Sequence, residues 1–300
     1  MGNLALSPLA PILGRRVPLR GTARLLFRSY AKKKSSCQPS ESAQRTTTKS
    51  KDEFDVVLSS FLEWQLWAFG AYEEHFAELF RYLVRPGDRC IDVGANVGVH
   101  TTRLAKLVGA HGEVIAIEAD AELAHRANNN ILLNHLTNVR LIQAAASDRA
   151  GDTVSLYRPN SWDTNRARAS LLPHPYLTGS ANQVRTVTID NLTHGPVGLI
   201  KIDVEGHEEG VVLGAARTIS EHSPSIIFEY IPELLPRDSL SPFGWLSCRG
   251  YHLFDIQRYR HCVTGRSQLK LNALHELPGR GTNILAVSKP MVSRIRQVVG

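Results

Sequence analysis

Three hundred residues with 43% hydrophobic and 21% charged content form an ordinary globular chain that needs no disulfide or metal staple to bury a core. That composition excludes a disordered chain, a collagen-like fibre and a coiled coil, and no apolar run reaches the roughly 18 residues of a helical membrane span. The net charge of +7 is local: ten of the 35 Lys and Arg fall in the first 50 residues beside a single acid, Glu41, so the slightly acidic remainder argues against a nucleic-acid reader.

Residues 1–50 read as a basic leader and linker. Arg recurs between Arg16 and Arg28 with Leu and Phe between, the pattern of an amphipathic organellar transit peptide. Arg28-Ser29-Tyr30-Ala31 resembles a mitochondrial processing site. This reading places the protein in the mitochondrion; a disordered basic arm, and a cytoplasmic protein, is the alternative. Leu6 breaks a myristoylation motif, and Ser35 to Lys51 has the polarity of an unstructured linker. Residues 51–86 read as N-terminal helices, with Phe54, Val57, Leu58, Phe61, Leu62 and Leu66 at helical spacing and Phe76, Leu79, Phe80 and Leu83 continuing it after Gly70. Trp64, Trp67, Phe69 and Tyr72 read as aromatics that dock these helices onto the core, with the lining of a substrate mouth as the alternative. The four cysteines match no zinc template and read as reduced thiols, Cys90 within a strand.

From 87 to 290 the chain alternates between strand and helix patterns. Strands are expected at 89–93, 113–117, 139–143, 199–203 and 225–230, with further candidates at 251–256 and 283–288. Helices are expected at 98–108, 120–134, with Asp120 as N-cap, and 206–219. Such alternation means βαβ units, a mostly parallel sheet and a doubly wound, Rossmann-like α/β fold. Ligands in these folds sit beyond the carboxyl ends of the strands.

The residues at those ends are polar and specific. Asp92-Val93-Gly94-Ala95-Asn96-Val97-Gly98 forms a glycine turn opening a helix, suited to backbone contact with a ligand. It lacks two glycines of a dinucleotide fingerprint. Glu118 stands where an acid takes ribose hydroxyls, and Ser147-Asp148 stands where an adenine amino group can be hydrogen-bonded. Together these describe an adenosine pocket. Lys201-Ile202-Asp203-Val204-Glu205-Gly206-His207-Glu208 follows the fourth strand. In extended backbone Asp203, Glu205 and His207 share one face. They are the candidates for a general base, with Glu229 a fourth; no metal is assigned.

At these residues the chain resembles the FkbM-type methyltransferases: Ile91 to Gly98, Ile115 to Ala119, Asn130 with Asn134, Ala144 to Asp148 and Lys201 to Glu208 carry the likeness. The resemblance implies a class I, S-adenosylmethionine-dependent enzyme with seven strands in the order 3-2-1-4-5-7-6, the last antiparallel. It implies that the turn from Asp92 through Gly94 and Asn96 to Gly98 holds the methionine end of the cofactor. Glu118 is implied at the ribose, Ser147 and Asp148 at the adenine, and Asp203 between methionine and substrate. It also implies O-methylation of a hydroxyl on a sugar or small metabolite, with a small-molecule or glycan acceptor as partner. A dinucleotide-dependent oxidoreductase and a catalytically silent partner protein are the competing functions. The insertion from Tyr157 to Val184, with Trp162, Asp163, Arg166, Arg168, His174 and Tyr176, reads as the acceptor-selecting loop, with a disordered surface excursion as the alternative.

Overall fold

Near-continuous apolar runs define the centre of the molecule. β3 (Arg89–Val93), β4 (Glu113–Glu118), β9 (Leu199–Ile202) and β10 (Ser225–Tyr230) are buried along almost their whole length, as parallel strands covered on both faces must be. The computed structural model describes residues 43–158, 169–173, 177, 181–234, 241–260 and 267–298. The basic leader up to residue 42, Cys37, Cys262 and the charged and aromatic residues singled out between 162 and 176 lie outside these.

One eight-stranded sheet organises the fold. With β5 (Val139–Gln143), β11 (His252–Arg260), β12 (Ser267–Leu274) and β13 (Thr282–Val287), its order is β5-β4-β3-β9-β10-β13-β11-β12. Strands β5 to β10 run parallel, and β13 enters antiparallel to β10. Seven of these strands follow the expected 3-2-1-4-5-7-6 order. The eighth, β12, is a correction: it forms a hairpin edge on β11, so the sheet is larger than expected. Successive strand residues feed opposite faces. Ile91, Ile115 and Ile200 join one core, while Cys90, Val114 and Leu199 join the other. Helices α3 (Val99–Val108) and α4 (Ala121–Leu133) follow β3 and β4. Asp120 caps α4 as expected, accepting from the backbone N–H of Glu122 and Leu123. The helix expected over 206–219 is broken into α6 (Glu208–Leu213) and α7 (Ala216–His222) around Gly214. A Cβ there would meet the Ser147 carbonyl at 1.9 Å. Preceding them, β6 (Ala145–Ala146), β7 (Thr153–Tyr157) and β8 (Ala181–Val187) make a small separate sheet, and α5 (Ile189–Leu192) leads back to β9. Helix α8 (Pro242–Ser247) precedes β11, and α9 (Lys289–Ile295) follows β13.

The N-terminal region departs from the helical reading. β1 (Gln44–Thr47), expected as linker, pairs antiparallel with β2 (Glu53–Val56), and α1 (Phe61–Phe69) and α2 (Glu74–Leu83) come only afterwards. Phe54 and Val56 are therefore core residues by strand alternation. They pack with Trp64 and Leu66 against Val97 and Val99 of the glycine turn. Two asparagines on α4 replace a neighbouring strand for β2. Asn130 Oδ1 accepts from the Asp55 N–H at 2.9 Å and its Nδ2 donates to the Val97 carbonyl at 2.9 Å. Asn134 bonds both the N–H and the carbonyl of Glu53, at 3.0 and 2.7 Å. Glu63, buried, joins α1 to α4 through both guanidinium nitrogens of Arg126 and also accepts from the Val57 N–H at 2.7 Å. This hairpin and helix thus form a lid-like wall over the carboxyl end of β3. Among the described residues no helix is long and apolar enough to cross a membrane.

Candidate active site

The backbone at the ends of β3 and β9 is stitched together. Asp203 donates its N–H to the Val93 carbonyl at 3.0 Å, and Gly94 donates to the Ile117 carbonyl at 2.9 Å. Gly94 adopts φ 76, and a Cβ on it would lie 1.8 Å from the Asp203 carbonyl oxygen. Only glycine allows that approach. Asn96 and Gly98 also take left-handed conformations, at φ 52 and 86, and they turn the chain into α3.

A cavity of about 350 Å³ opens above this junction. Gly94, Asn96 and Glu118 line one part of it; Asp203, Glu205 and Glu229 line another. Glu118 accepts from the Asn96 N–H at 2.7 Å and the Asp120 N–H at 2.9 Å, one bond to each oxygen. Its remaining lone pairs are available to hydroxyl donors. Burial pushes this carboxyl up to about 7, against the lowering effect of the two backbone bonds.

Lys201 stands behind the acids, buried, with Nζ 3.2 Å from Asp203 Oδ2 and 3.7 Å from Asp92 Oδ1. Burial alone would lower its proton affinity, but Asp203, Asp92 and Glu73 outweigh this and hold it well above the usual lysine value. Ligand-capable oxygens of Asp203, Glu205 and Glu229 all lie within 4.8 Å of one another. Lys201 offsets the repulsion that such a group of carboxylates generates.

Several expected site residues stand elsewhere. Asp92 lies behind the turn, where it accepts from Thr101 Oγ1 at 2.6 Å and faces Lys201. It supports the cavity and does not line it. Gly98 likewise contributes the bend alone. His207 does not share a face with Asp203 and Glu205, because β9 ends at Ile202 and Glu205 and Gly206 take φ 53 and 106. Its Nε2 sits 2.9 Å from Ser147 Oγ, and its ring packs over Gly210. Ser147 donates to Asp148 at 3.0 Å, and the cavity wall at this strand end is Ala144, Ala145 and Ala146 instead. The pairing of β6 with β8 carries the residues that follow away from the opening. Glu208 caps the loop, accepting from the Gly206 N–H at 3.1 Å, and burial raises its carboxyl to about 7.

The N-terminal wall supplies residues that sequence reasoning passed over: Ser60, Gln65, Tyr72 and Glu73 line the cavity, with His100 from α3. Glu73 carried one local signal, its position just before a helix, which does not distinguish it from an ordinary cap. Tyr72, read as a docking aromatic, reaches the cavity.

Gly94→Ala should destabilise the protein by at least about 2 kcal/mol, because strain and a backbone clash combine. Gly87→Ala, at φ 89 with nothing within 4 Å of the added carbon, is the control. It should cost about 1 kcal/mol. Urea unfolding measures both, and equal losses would contradict the close approach.

The family model described as Methyltransferase FkbM domain matches residues 92–243. A protein-L-isoaspartate O-methyltransferase of Ignicoccus hospitalis is 29% identical over 135 residues, covering 45% of this chain and 54% of that protein. One from Methanococcus aeolicus is 36% identical over 59 residues, 20% of this chain and 27% of that protein. The chain thus spans about half or less of the length of these curated relatives. Among solved structures, the FkbM methyltransferase of Methylobacillus flagellatus superposes with a TM-score of 0.42 at 17% identity, over 70% of this chain and 50% of that one. A SAM-dependent O-methyltransferase of Thermotoga maritima gives a TM-score of 0.42 at 14% identity, over 82% and 78%. The family match spans just over half of the residues, and with it the chain belongs to the FkbM methyltransferases, an S-adenosylmethionine-dependent family.

Proposed function

We propose that this chain transfers the methyl group of S-adenosylmethionine to a hydroxyl oxygen of a sugar or other small metabolite. The observation that carries the reading is that one cavity is lined both by the Gly94 turn with Glu118 and by the acids Asp203, Glu205 and Glu229. In this reading the Gly94 turn and the first turn of α3 hold the methionine end, and Glu118 accepts from the ribose. Ala144 to Ala146 form the flat apolar wall against the base. Ser147 and Asp148 then act from behind that wall rather than by contact. The cofactor supplies an electrophilic methyl. The chain supplies alignment, exclusion of water and a carboxylate for the hydroxyl proton, with Asp203 and Glu205 facing the acceptor space.

The curated relatives are named for methylation of L-isoaspartate, an acceptor that presents a carboxylate. The acidic lining here favours a neutral hydroxyl over that anion, because Asp203, Glu205, Glu229 and Glu73 would repel it and Lys201 is already engaged by two carboxylates. The missing second and third glycines, replaced by Asn96 and Val99, stand against a dinucleotide-dependent oxidoreductase.

Two measurements test the reading. Glu118 must be ionised to accept from a ribose, so protons and cofactor compete for it. Below pH 7 the affinity for S-adenosylhomocysteine should fall by about tenfold per pH unit, as linkage to one carboxyl requires. Glu118→Gln should flatten that dependence and weaken binding at pH 8 by roughly 10- to 100-fold. Calorimetry from pH 5 to 8 reads both, and pH-independent affinity would remove Glu118 from the ribose. Isotope-labelled S-adenosylmethionine incubated with the protein and a metabolite extract should yield a labelled methyl ether by mass spectrometry. A labelled methyl ester or methylamine would contradict hydroxyl transfer.

A further inference from the structure

Glu73 precedes α2 with φ 45 and ψ 53, a left-handed conformation that glutamate adopts only at a cost. Nothing about starting a helix requires it, since an N-cap is normally extended. The strained residue lies outside the family-matched segment, yet its side chain lines the same cavity as Asp203 and Glu205. Its Oε2 sits 2.9 Å from Nε2 of His100, and its carbonyl takes Arg103 Nη1 at 3.4 Å, so the conformation is held from α3. His100 is itself buried, with the edges of its ring against Phe76 and Phe80 at 5.4 and 5.7 Å. Its Nδ1 has no hydrogen-bond partner among the described residues.

The partners separate the roles of the acids. Lys201 is a full cation beside Asp203, and backbone N–H groups occupy both oxygens of Glu118. A neutral imidazole N–H adds no charge, so it can hydrogen-bond one Glu73 oxygen whether the carboxyl is ionised or carries a proton on the other. That suits a group that must change protonation state. Burial, with Lys201 and Arg103 nearby, keeps His100 neutral by pushing it well below its ordinary value. Burial, and then Asp203, raise Glu73, opposed by His75, Lys201 and Arg103.

We propose that Glu73, paired with His100, is the proton acceptor of the methyl transfer, an assignment that rests on the hydroxyl-acceptor reading above. The acceptor oxygen forms its bond to the methyl carbon while the methyl–sulfur bond breaks with its electron pair going to sulfur. The hydroxyl proton moves to the Glu73 oxygen not bonded to His100, while His100 Nε2 keeps its own proton and goes on donating to Oε2. The carboxylic acid then releases the proton to water as product leaves. Asp203, fixed by Lys201, orients the acceptor.

The test uses the full chain as wild type, Glu73→Gln and Glu73→Gly. Both variants should bind S-adenosylhomocysteine within about twofold of wild type, and both should lower label transfer from S-adenosylmethionine into metabolite extract by about 100-fold or more. Glu73→Gly should melt at a higher temperature than wild type, because glycine removes the left-handed strain. Glu73→Gln transferring label at the wild-type rate would overturn the assignment. If wild type binds S-adenosylhomocysteine but labels no hydroxyl, the acceptor reading fails by itself. Infrared titration of the carboxyls in the S-adenosylhomocysteine-loaded protein then decides the pair. A protonated carboxyl signal persisting above the ordinary glutamate range, and absent in Glu73→Gln, supports it; titration of Glu73 in the ordinary range overturns it.

Discussion

The site depends on one close backbone approach, between Gly94 and the Asp203 carbonyl. Gly94 and the Asp203 carbonyl are so near that no side chain fits between them, and the Asp203 N–H is bonded to Val93. This contact ties the end of β3 to the end of β9, the two central parallel strands. Everything above them is placed by that junction. Asn96 is turned so that its N–H reaches Glu118, Asp203 is brought over Lys201, and the floor of the cavity is set. A doubly wound sheet leaves a crevice at its strand ends by topology alone. Here the crevice is shaped by one glycine that permits contact where any other residue would pry the strands apart.

Electrostatics then divides the crevice. One buried lysine faces Asp92 and Asp203, while Glu118 is served by backbone donors and Glu73 by a neutral imidazole. These acids share a small volume, yet their partners differ in kind. Carboxylates paired with a cation or bonded at both oxygens by backbone donors are fixed and orient; a carboxylate bonded at one oxygen by a neutral ring N–H can take up a proton at the other. Part of this division comes from outside the family-matched segment, because the hairpin and first two helices complete the wall. Their attachment is itself polar: Asn130 and Asn134 clasp β2, and Glu63 is locked to Arg126.

Much of the sheet was legible in the sequence. Apolar runs at 139–143 and 225–230 coincide with β5 and β10, and Asp120 caps its helix. Central strands are readable because both faces are buried and the apolar run is unbroken. β12 was legible in principle, since Leu269-Lys270-Leu271-Asn272 alternates, but one polar face makes an edge strand resemble a loop. The N-terminal hairpin failed for a different reason. Four-residue strands hold too few alternations to outweigh the helical spacing that Phe54, Val57, Leu58 and Phe61 happen to show. Gly94, Asn96, Glu118, Asp203 and Glu205 line the cavity, as residues at or just past strand ends are expected to. His207 was misplaced because positive φ at Glu205 and Gly206 breaks the alternation that put it beside Asp203. Ser147 and Asp148 were misplaced because β6 joins a different sheet. Glu73 carried only the signal of an ordinary helix start, since its place at the cavity depends on packing against His100 from an element that follows it in the chain.

The most direct measurement is a crystal structure of the protein with S-adenosylhomocysteine bound. The account predicts the nucleoside between Gly94 and Asp203, with both ribose hydroxyls on Glu118 and the thioether sulfur facing the space bounded by Glu73 and Asp203. A nucleoside seated away from Glu118, or a cleft that closes without admitting one, would contradict it.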